Sequence, residues 1–210
     1  YLVRLGWSCG DQEIFTIDEL IENFDLTNLN KSSARFDFEK LQWVNRKHIS
    51  EISSLKLSEI LVEYAAEDNI ELASMDKLQL FSDAYKTRTD DLNMLLERAQ
   101  LFFSDDLIMD QSAAKKYLLP TVLEPLKDLV RTLEETNWSP KAINEAIESV
   151  CSQHNIGFGK IGQPIRVAIT GTTVSPPIDI TLSLLPKNVV VSRLEQAVTY
   201  IESKSNVAPD

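Results

Sequence analysis

Apolar residues recur at three- and four-residue intervals along nearly the whole chain, the period of amphipathic helices. Thr16, followed three residues later by Glu19, forms a capping-box pattern and predicts a helix over 18–24. Asp37 is placed to cap a second helix over 38–49, with Leu41, Val44 and His48 on one side. Ser58 is expected to cap a third, through Ile60, Leu61, Tyr64 and Ala65. The spacing of Leu78, Phe81, Ala84 and Tyr85 predicts a helix over 75–86. Thr89-Asp90-Asp91 offers a cap and two carboxylates to the next helix N-terminus, which should run to about Phe102.

Residues 112–135 form a long amphipathic stretch that Pro120 and Pro125 should end or kink. Ser139-Pro140 reads as a cap followed by proline at the first helical position, opening a helix through Ile143, Ala146, Ile147 and Val150. The densest glycine stretch follows, from Gly157 to Gly171. A last helix is expected from about Asn188 to Glu202. Val189-Val190-Val191 is β-prone, but the spacing of Val190, Leu194, Ala197, Val198 and Ile201 favours helix. There is no internal repeat and no low-complexity tract. The predicted fold is all-α, a bundle or cage of about ten short helices. A boundary is expected in residues 104–112, where SDDLIMDQS is acidic and turn-rich.

Composition narrows the class only a little. With 210 residues, 43% of them hydrophobic and 25% charged, the chain can bury a core and is no disordered, collagen-like or rod-forming sequence. No apolar run approaches the roughly 18–20 residues needed to cross a bilayer. Arg4 inside the first apolar stretch, with no small-residue cleavage site, argues against a signal peptide. The chain begins without Met and in mid-pattern, as expected of a piece of a longer one. Cys9 and Cys151 make no CxxC pair, and with only His48 and His154 beside them no zinc site of standard spacing is expected. A reduced, cytoplasmic setting is the simplest expectation, with a single chance disulfide as the alternative.

The net charge of −11 argues against a general polyanion binder. Its distribution matters more. Residues 51–150 carry ten Lys/Arg against twenty Asp/Glu, whereas residues 151–210 carry five against four. RNA, if bound, must be held by a few placed cations rather than by a basic field.

Enzyme signatures are missing: no GxGxxG, no P-loop, no GxSxG and no HExxH. The pairs Asp90-Asp91 and Asp105-Asp106 point to different faces of a helix and read as N-terminal charge. Glu134-Glu135 reads as solvated surface. His48 reads as a packed or half-exposed ring, His154 has no nucleophile motif near it, and Cys9 reads as a small apolar filler. One region stands out. Gly162-Gln163-Pro164-Ile165-Arg166-Val167-Ala168-Ile169-Thr170-Gly171 is glycine-bounded and amphipathic with a single cation. The next residues, Thr172 to Ile178, make a small-residue turn with two prolines and a terminal aliphatic. Exposed hydroxyls, a rigid turn, an aliphatic side chain and an arginine suit a splayed single-stranded base. The competing reading is a helix–turn–helix corner with Arg166 on its surface, and the residues by themselves leave both open.

Three segments resemble the C-terminal part of bacterial glutamyl-tRNA synthetases: YLVRLGWSCGDQEIFTIDELIENFDL at 1–26, NKSSARFDFEKLQWVN at 30–45, and GFGKIGQPIRVAITGTTVSPPIDITLSLL at 157–185, with the helix to Ile201 after it. Their order and spacing fit, and they reach both ends of the chain. The resemblance implies a class I synthetase anticodon-binding architecture: the end of a stem-contact domain at 1–50 and helical anticodon-binding subdomains at 51–110 and 111–210. It implies that the nucleotide-binding catalytic domain, which uses ATP and Mg, lies upstream and outside this chain. The fragment by itself is then non-catalytic, with no cofactor and no metal of its own. Its expected partner is the glutamate tRNA, not DNA and not a membrane, and it is expected to be a monomer.

By the same resemblance, Arg166 matches an arginine that contacts an anticodon base. Ser175, Pro176 and Ile178 match the turn that packs beside that base, and Arg88 matches the reader of the last anticodon base. An arginine there resembles enzymes that accept only the glutamate tRNA. Thr170-Gly171 matches a Thr-Gly that reads as a helix end. Lys31 and Arg35 are candidate phosphate contacts near the inner stem. Three positions depart from the family pattern: Pro186 for a Gly, Ser33 for a Pro and Cys9 for a His. None removes a proposed base contact. The alternative of a different class is an acidic helical protein-interaction module with no RNA function, motivated by the acidic middle of the chain.

Overall fold

Side-chain caps set most of the helix starts. The computed structural model describes residues 1–30, 35–68, 70–104 and 107–205. Among them are eleven α-helices, four short 3-10 turns and no strand, in agreement with the all-α expectation. Lys31, Ser33 and the Asp105-Asp106 pair lie outside the described residues. Helix α1 (Ile17–Asn23) opens on a complete capping box. Glu19 N–H donates to Thr16 Oγ1 at 3.2 Å, and Thr16 N–H donates to the Glu19 carboxylate at 2.7 Å. Asp37 caps α2 (Phe38–Glu51) by accepting from Lys40 N–H.

The third start differs from expectation. Helix α3 (Ser54–Glu67) is capped by Ser53, which accepts from Lys56 N–H at 3.3 Å, not by Ser58. Ser58 lies one turn inside the helix and is fully buried. Its hydroxyl donates to the Ser54 carbonyl at 2.8 Å, the backbone bond available to a mid-helix serine. It also lies 3.0 Å from Ser82 Oγ on α4 (Met75–Tyr85). Helix α4 runs into a 3-10 turn, Lys86–Arg88. Asp91 alone caps α5 (Leu92–Phe103), accepting from Met94 N–H at 2.8 Å, while Asp90 forms an ion pair with Arg46 of α2.

The long stretch after residue 110 breaks at Pro120, as expected, but not at Pro125. It forms α6 (Gln111–Tyr117), a 3-10 turn Pro120–Val122 and α7 (Leu123–Glu135). Pro125 sits in the first turn of α7, where a missing N–H costs no helix bond. Ser139 caps α8 (Pro140–Gln153), with Pro140 first in the helix. The glycine stretch is itself a helix, α9 (Phe158–Thr170), which continues through Pro164. The carbonyl left open by that proline belongs to Lys160, an exposed residue. Short α10 (Ile178–Ser183) and long α11 (Lys187–Ser205) complete the chain. Val190 is fully buried on α11, and tertiary packing overrides the β preference of its valines.

One core cluster extends from Ile49 to Ile201. Helix α11 packs on α7 and α9, α8 packs on α7 and α10, and α3 packs on α4. The N-terminal region has a small aromatic cluster of its own. Trp7 lies 5.6 Å from Phe15 and 5.7 Å from Phe24, ring centre to ring centre. Among the described residues no helix is long and apolar enough to cross a membrane.

Candidate nucleic-acid interface

Helix α9 buries Ile161, Ile165, Ala168 and Ile169 and leaves Gln163, Arg166 and Thr170 half-buried at i, i+3 and i+7, along one face. Two glycines fix its surroundings. A Cβ on Gly162 would stand 3.2 Å from Ile178 Cδ1, so the missing side chain is the notch that seats Ile178 on α9. Gly171 ends the helix at φ +71°, in the left-handed region that favours glycine. A Cβ there would stand 2.3 Å from the Ile108 carbonyl oxygen, and the Gly171 carbonyl accepts from Asp110 N–H at 2.9 Å. Thr170-Gly171 is therefore a helix end, and it pins the segment that enters α6.

Beyond Gly171 the turn folds back on α9. Arg166 Nε donates to Ser175 Oγ at 2.8 Å. Ser175 Oγ donates to the Pro176 carbonyl at 2.9 Å, and Thr181 Oγ1 lies 3.2 Å from the same Ser175 oxygen. The structure differs from sequence expectation here. Pro176 and Ile178 are buried and Ser175 is already bonded, so the turn is a mount for Arg166 more than an open surface. The apolar turn residues close onto the Gly162 notch because that removes them from water. Arg166 Nη1 and Nη2 have no hydrogen-bond partner among the described residues and remain available for a forked contact.

The structure brings Arg88 and Arg166 close enough for their charges to interact, with Tyr85 and Arg98 beside them. Burial lowers the pKa of Arg166 from its ordinary value. The Tyr85 phenol works against that shift and the Arg88 charge adds to it. Burial pushes the Tyr85 phenol well above its ordinary value, against the pull of Arg98, Arg166 and Arg88, so it stays neutral. Its ring is 3% exposed and stacks on Phe81 at 4.3 Å. Arg88 Nη1 donates to the Ala84 carbonyl at 3.3 Å, and Arg98 Nη1 donates to the Arg88 carbonyl. Asn45 of α2 steadies the same loop by donating to the Asp90 carbonyl at 2.7 Å. A cleft of about 200 Å³ opens between Tyr85, Arg98, Leu101 and Phe102 on one side and Thr170, Thr172 and Val174 on the other.

None of the three arginines is paired with a carboxylate among the described residues. In a chain of net charge −11 this is an uncompensated positive island, floored by aromatic rings and edged by hydroxyls. Such a site suits a nucleotide: the guanidinium forks meet a base edge or phosphate, and the exposed Leu101 and Val174 side chains meet a base face. Arg35 is exposed, lies beside Phe36 and Phe38, and makes no contact with the cluster. His48 is exposed, and His154 Nε2 lies 2.7 Å from Asp128. Both cysteines are free, and no group of three His, Cys, Asp or Glu is placed to hold a metal among the described residues.

Sequence reading missed Arg98 and Gln163. Arg98 shares a helix face with Leu101 and Phe102 at i+3 and i+4, and that spacing was a usable signal. Gln163 Oε1 is buried with no hydrogen-bond partner among the described residues, which no sequence pattern announces.

Residues 55–198 match the family described as anticodon binding domain. The chain is 40% identical over 202 residues to a glutamate–tRNA ligase of Francisella philomiragia, covering 94% of this chain and 43% of that protein. It is 38% identical over 208 residues to the glutamate–tRNA ligase of Legionella pneumophila strain Lens, covering 99% of this chain and 44% of the relative. The crystal structure of a glutamate tRNA ligase from Elizabethkingia meningosepticum, in complex with its amino acid, superposes with a TM-score of 0.82 at 26% identity, over 94% of this chain and 39% of that one. The chain thus spans less than half the length of these relatives. With the family match covering most of its residues and the arginine island inside the matched region, the chain belongs to the anticodon binding domain family.

Proposed function

We propose that this chain is the tRNA-recognition part of a glutamate–tRNA ligase and that it holds the anticodon loop of the glutamate tRNA. The observation that carries the reading is the carboxylate-free cluster of Arg88, Arg98 and Arg166 around Tyr85. Arg166 and Arg88 read base edges with their unbonded guanidinium nitrogens, and Ser175 fixes the direction of Arg166. Pro176 and Ile178 hold that turn against α9. Residues 1–50 form the end of a stem-contact domain, with Arg35 and Lys31 toward the phosphate backbone. Residues 51–110 and 111–210 are two anticodon-binding subdomains. ATP and Mg act in a catalytic domain outside this chain, which is itself non-catalytic, monomeric and cytoplasmic.

The test is equilibrium binding to the glutamate tRNA, the glutamine tRNA and an anticodon-changed glutamate tRNA at two salt concentrations. The cognate anticodon should bind best, and all affinities should fall with salt as phosphates release counterions. Arg166→Ala should weaken the cognate complex by about 1–3 kcal/mol and the anticodon-changed one less. An equal loss on both tRNAs would assign Arg166 to the phosphates instead.

A further inference from the structure

Arg193 lies on α11, which presents nothing to the cleft, and it is 3% exposed. Its Nη1 donates to the Ile169 carbonyl at 2.7 Å. Its Nη2 donates to the Phe102 carbonyl at 3.0 Å and to the Ser104 carbonyl at 2.7 Å. These oxygens belong to the C-terminal ends of two helices, α9 and α5, where unsatisfied carbonyls concentrate partial negative charge. A buried cation is costly unless its donors are used. Here one planar fork lies across both helix ends, which a lysine ammonium cannot do.

The two helices joined in this way carry the two halves of the site. Helix α5 presents Arg98, Leu101 and Phe102, and Arg98 holds the backbone of Arg88. Helix α9 presents Arg166 and Thr170. Gly171 closes the same seam through its contact with Ile108 and its bond to Asp110. The width of the cleft, and the separation of Arg98 on its wall from Arg166 on α9, are therefore set at a joint outside the cleft lining.

We propose that Arg193 is a positioning residue for anticodon recognition. It fixes the spacing between the Arg88–Arg98 half and the Arg166 half, and so determines specificity without contacting RNA. The inference rests on reading the cleft as the anticodon site. Loss of the fork lets the two helix ends shift. The phosphate contacts tolerate this because they are long-range, and the base contacts do not because hydrogen bonds are short and directional.

The experiment compares Arg193→Met and Arg193→Lys in the full chain. Each is first shown by circular dichroism to be folded at the assay temperature. Each is then titrated with glutamate tRNA and with an anticodon-changed version. The ratio of the two dissociation constants should shrink about tenfold in Arg193→Met, the scale of one lost base contact. Affinity for the changed tRNA and its salt slope should stay near wild type. Arg193→Lys, which keeps the charge and reaches one carbonyl at a time, should fall between. Simple destabilisation lowers the folded fraction and weakens both complexes equally, leaving the ratio intact. A wild-type ratio in a folded Arg193→Met, or an equal loss on both tRNAs, overturns the proposal. Should Arg193→Met not fold, an unchanged ratio in Arg193→Lys overturns it. Arg166→Ala is run beside them. If that variant keeps the wild-type ratio, Arg166 is a phosphate contact and the base-reading role on which this inference rests fails. If it loses discrimination while the Arg193 variants keep theirs, only the role of Arg193 fails.

Discussion

Residues 1–50 and the region from α6 to α11 both contain side-chain-capped helices, α1 and α2 in the first and α6 and α8 in the second, yet they bury their apolar side chains differently. In the C-terminal region Leu126, Leu129, Ile143, Ile165 and Leu194 are fully buried in one continuous core. In the N-terminal region Trp7 and Phe15 are buried in a cluster of their own, while Ile17 and Ile21 of α1 are 76% and 74% exposed. Half of the exposed large apolar side chains among the described residues fall within residues 1–43. A good cap and a helical period make a helix in either place. Only a second apolar surface makes a core. The arginine site draws Arg166 from that C-terminal core and Arg88 and Arg98 from α5 and the turn before it, and it is braced from the N-terminal side by Arg46 and Asn45 at the loop after Arg88. A rigid mount suits a site that must hold hydrogen-bond donors in fixed positions.

Three experiments would sharpen or break this contrast. The largest effect is expected from Ile165→Ala, which empties a fully buried position beside Arg166. It should lower the global stability by about 2–5 kcal/mol in denaturant melts, and a loss under 1 kcal/mol would mean that the C-terminal core is no tighter than the N-terminal one. A more local effect is expected from Trp7→Ala. Hydrogen exchange should lose protection in residues 1–30, while the main melting transition moves by less than about 0.5 kcal/mol. A matching fall in the main transition would show that the two regions fold as one unit.

The smallest effect concerns acid. Glu13 is held at a pKa of about 2, below its ordinary 4.5, by its hydrogen bonds to Arg4 and then Lys40. A depressed carboxylate contributes stability that is complete above its unfolded pKa. That contribution is lost as pH falls from about 4.5 through about 2. The indole signal of Trp7, whose backbone carbonyl also accepts from Arg4, should shift in that window and lose the dependence in Glu13→Gln. A pH response that survives Glu13→Gln would place the acid-sensitive group elsewhere.

Much of this was legible in the chain itself. The capping box at Thr16, the cap at Asp37, the Ser139-Pro140 start and the break at Pro120 are local chemistry, settled within one turn of the residue concerned. Arg166 and Arg88 could be named from motif resemblance. The caps at Ser53 and Asp91 were harder to place because neighbouring serines and aspartates offer the same group, and the choice depends on which residue the packing buries. Arg98 and Gln163 escaped because nothing local marks a polar side chain whose neighbours come from another helix. Pro176 and Ile178 were read as open faces because the Gly162 notch lies on α9 while Ile178, which fills it, comes from α10.

The sequence alone determined the helical class, most helix boundaries and the acidic balance, since each follows from short-range periodicity, composition or local spacing; Arg88 and Arg166 were singled out by family resemblance. The tertiary structure decided that Arg88, Arg98 and Arg166 meet around one buried tyrosine and that Arg193 ties two helix ends together from behind. Those are juxtapositions of residues up to 91 positions apart, fixed by how the helices bury their apolar faces against one another rather than by any local preference.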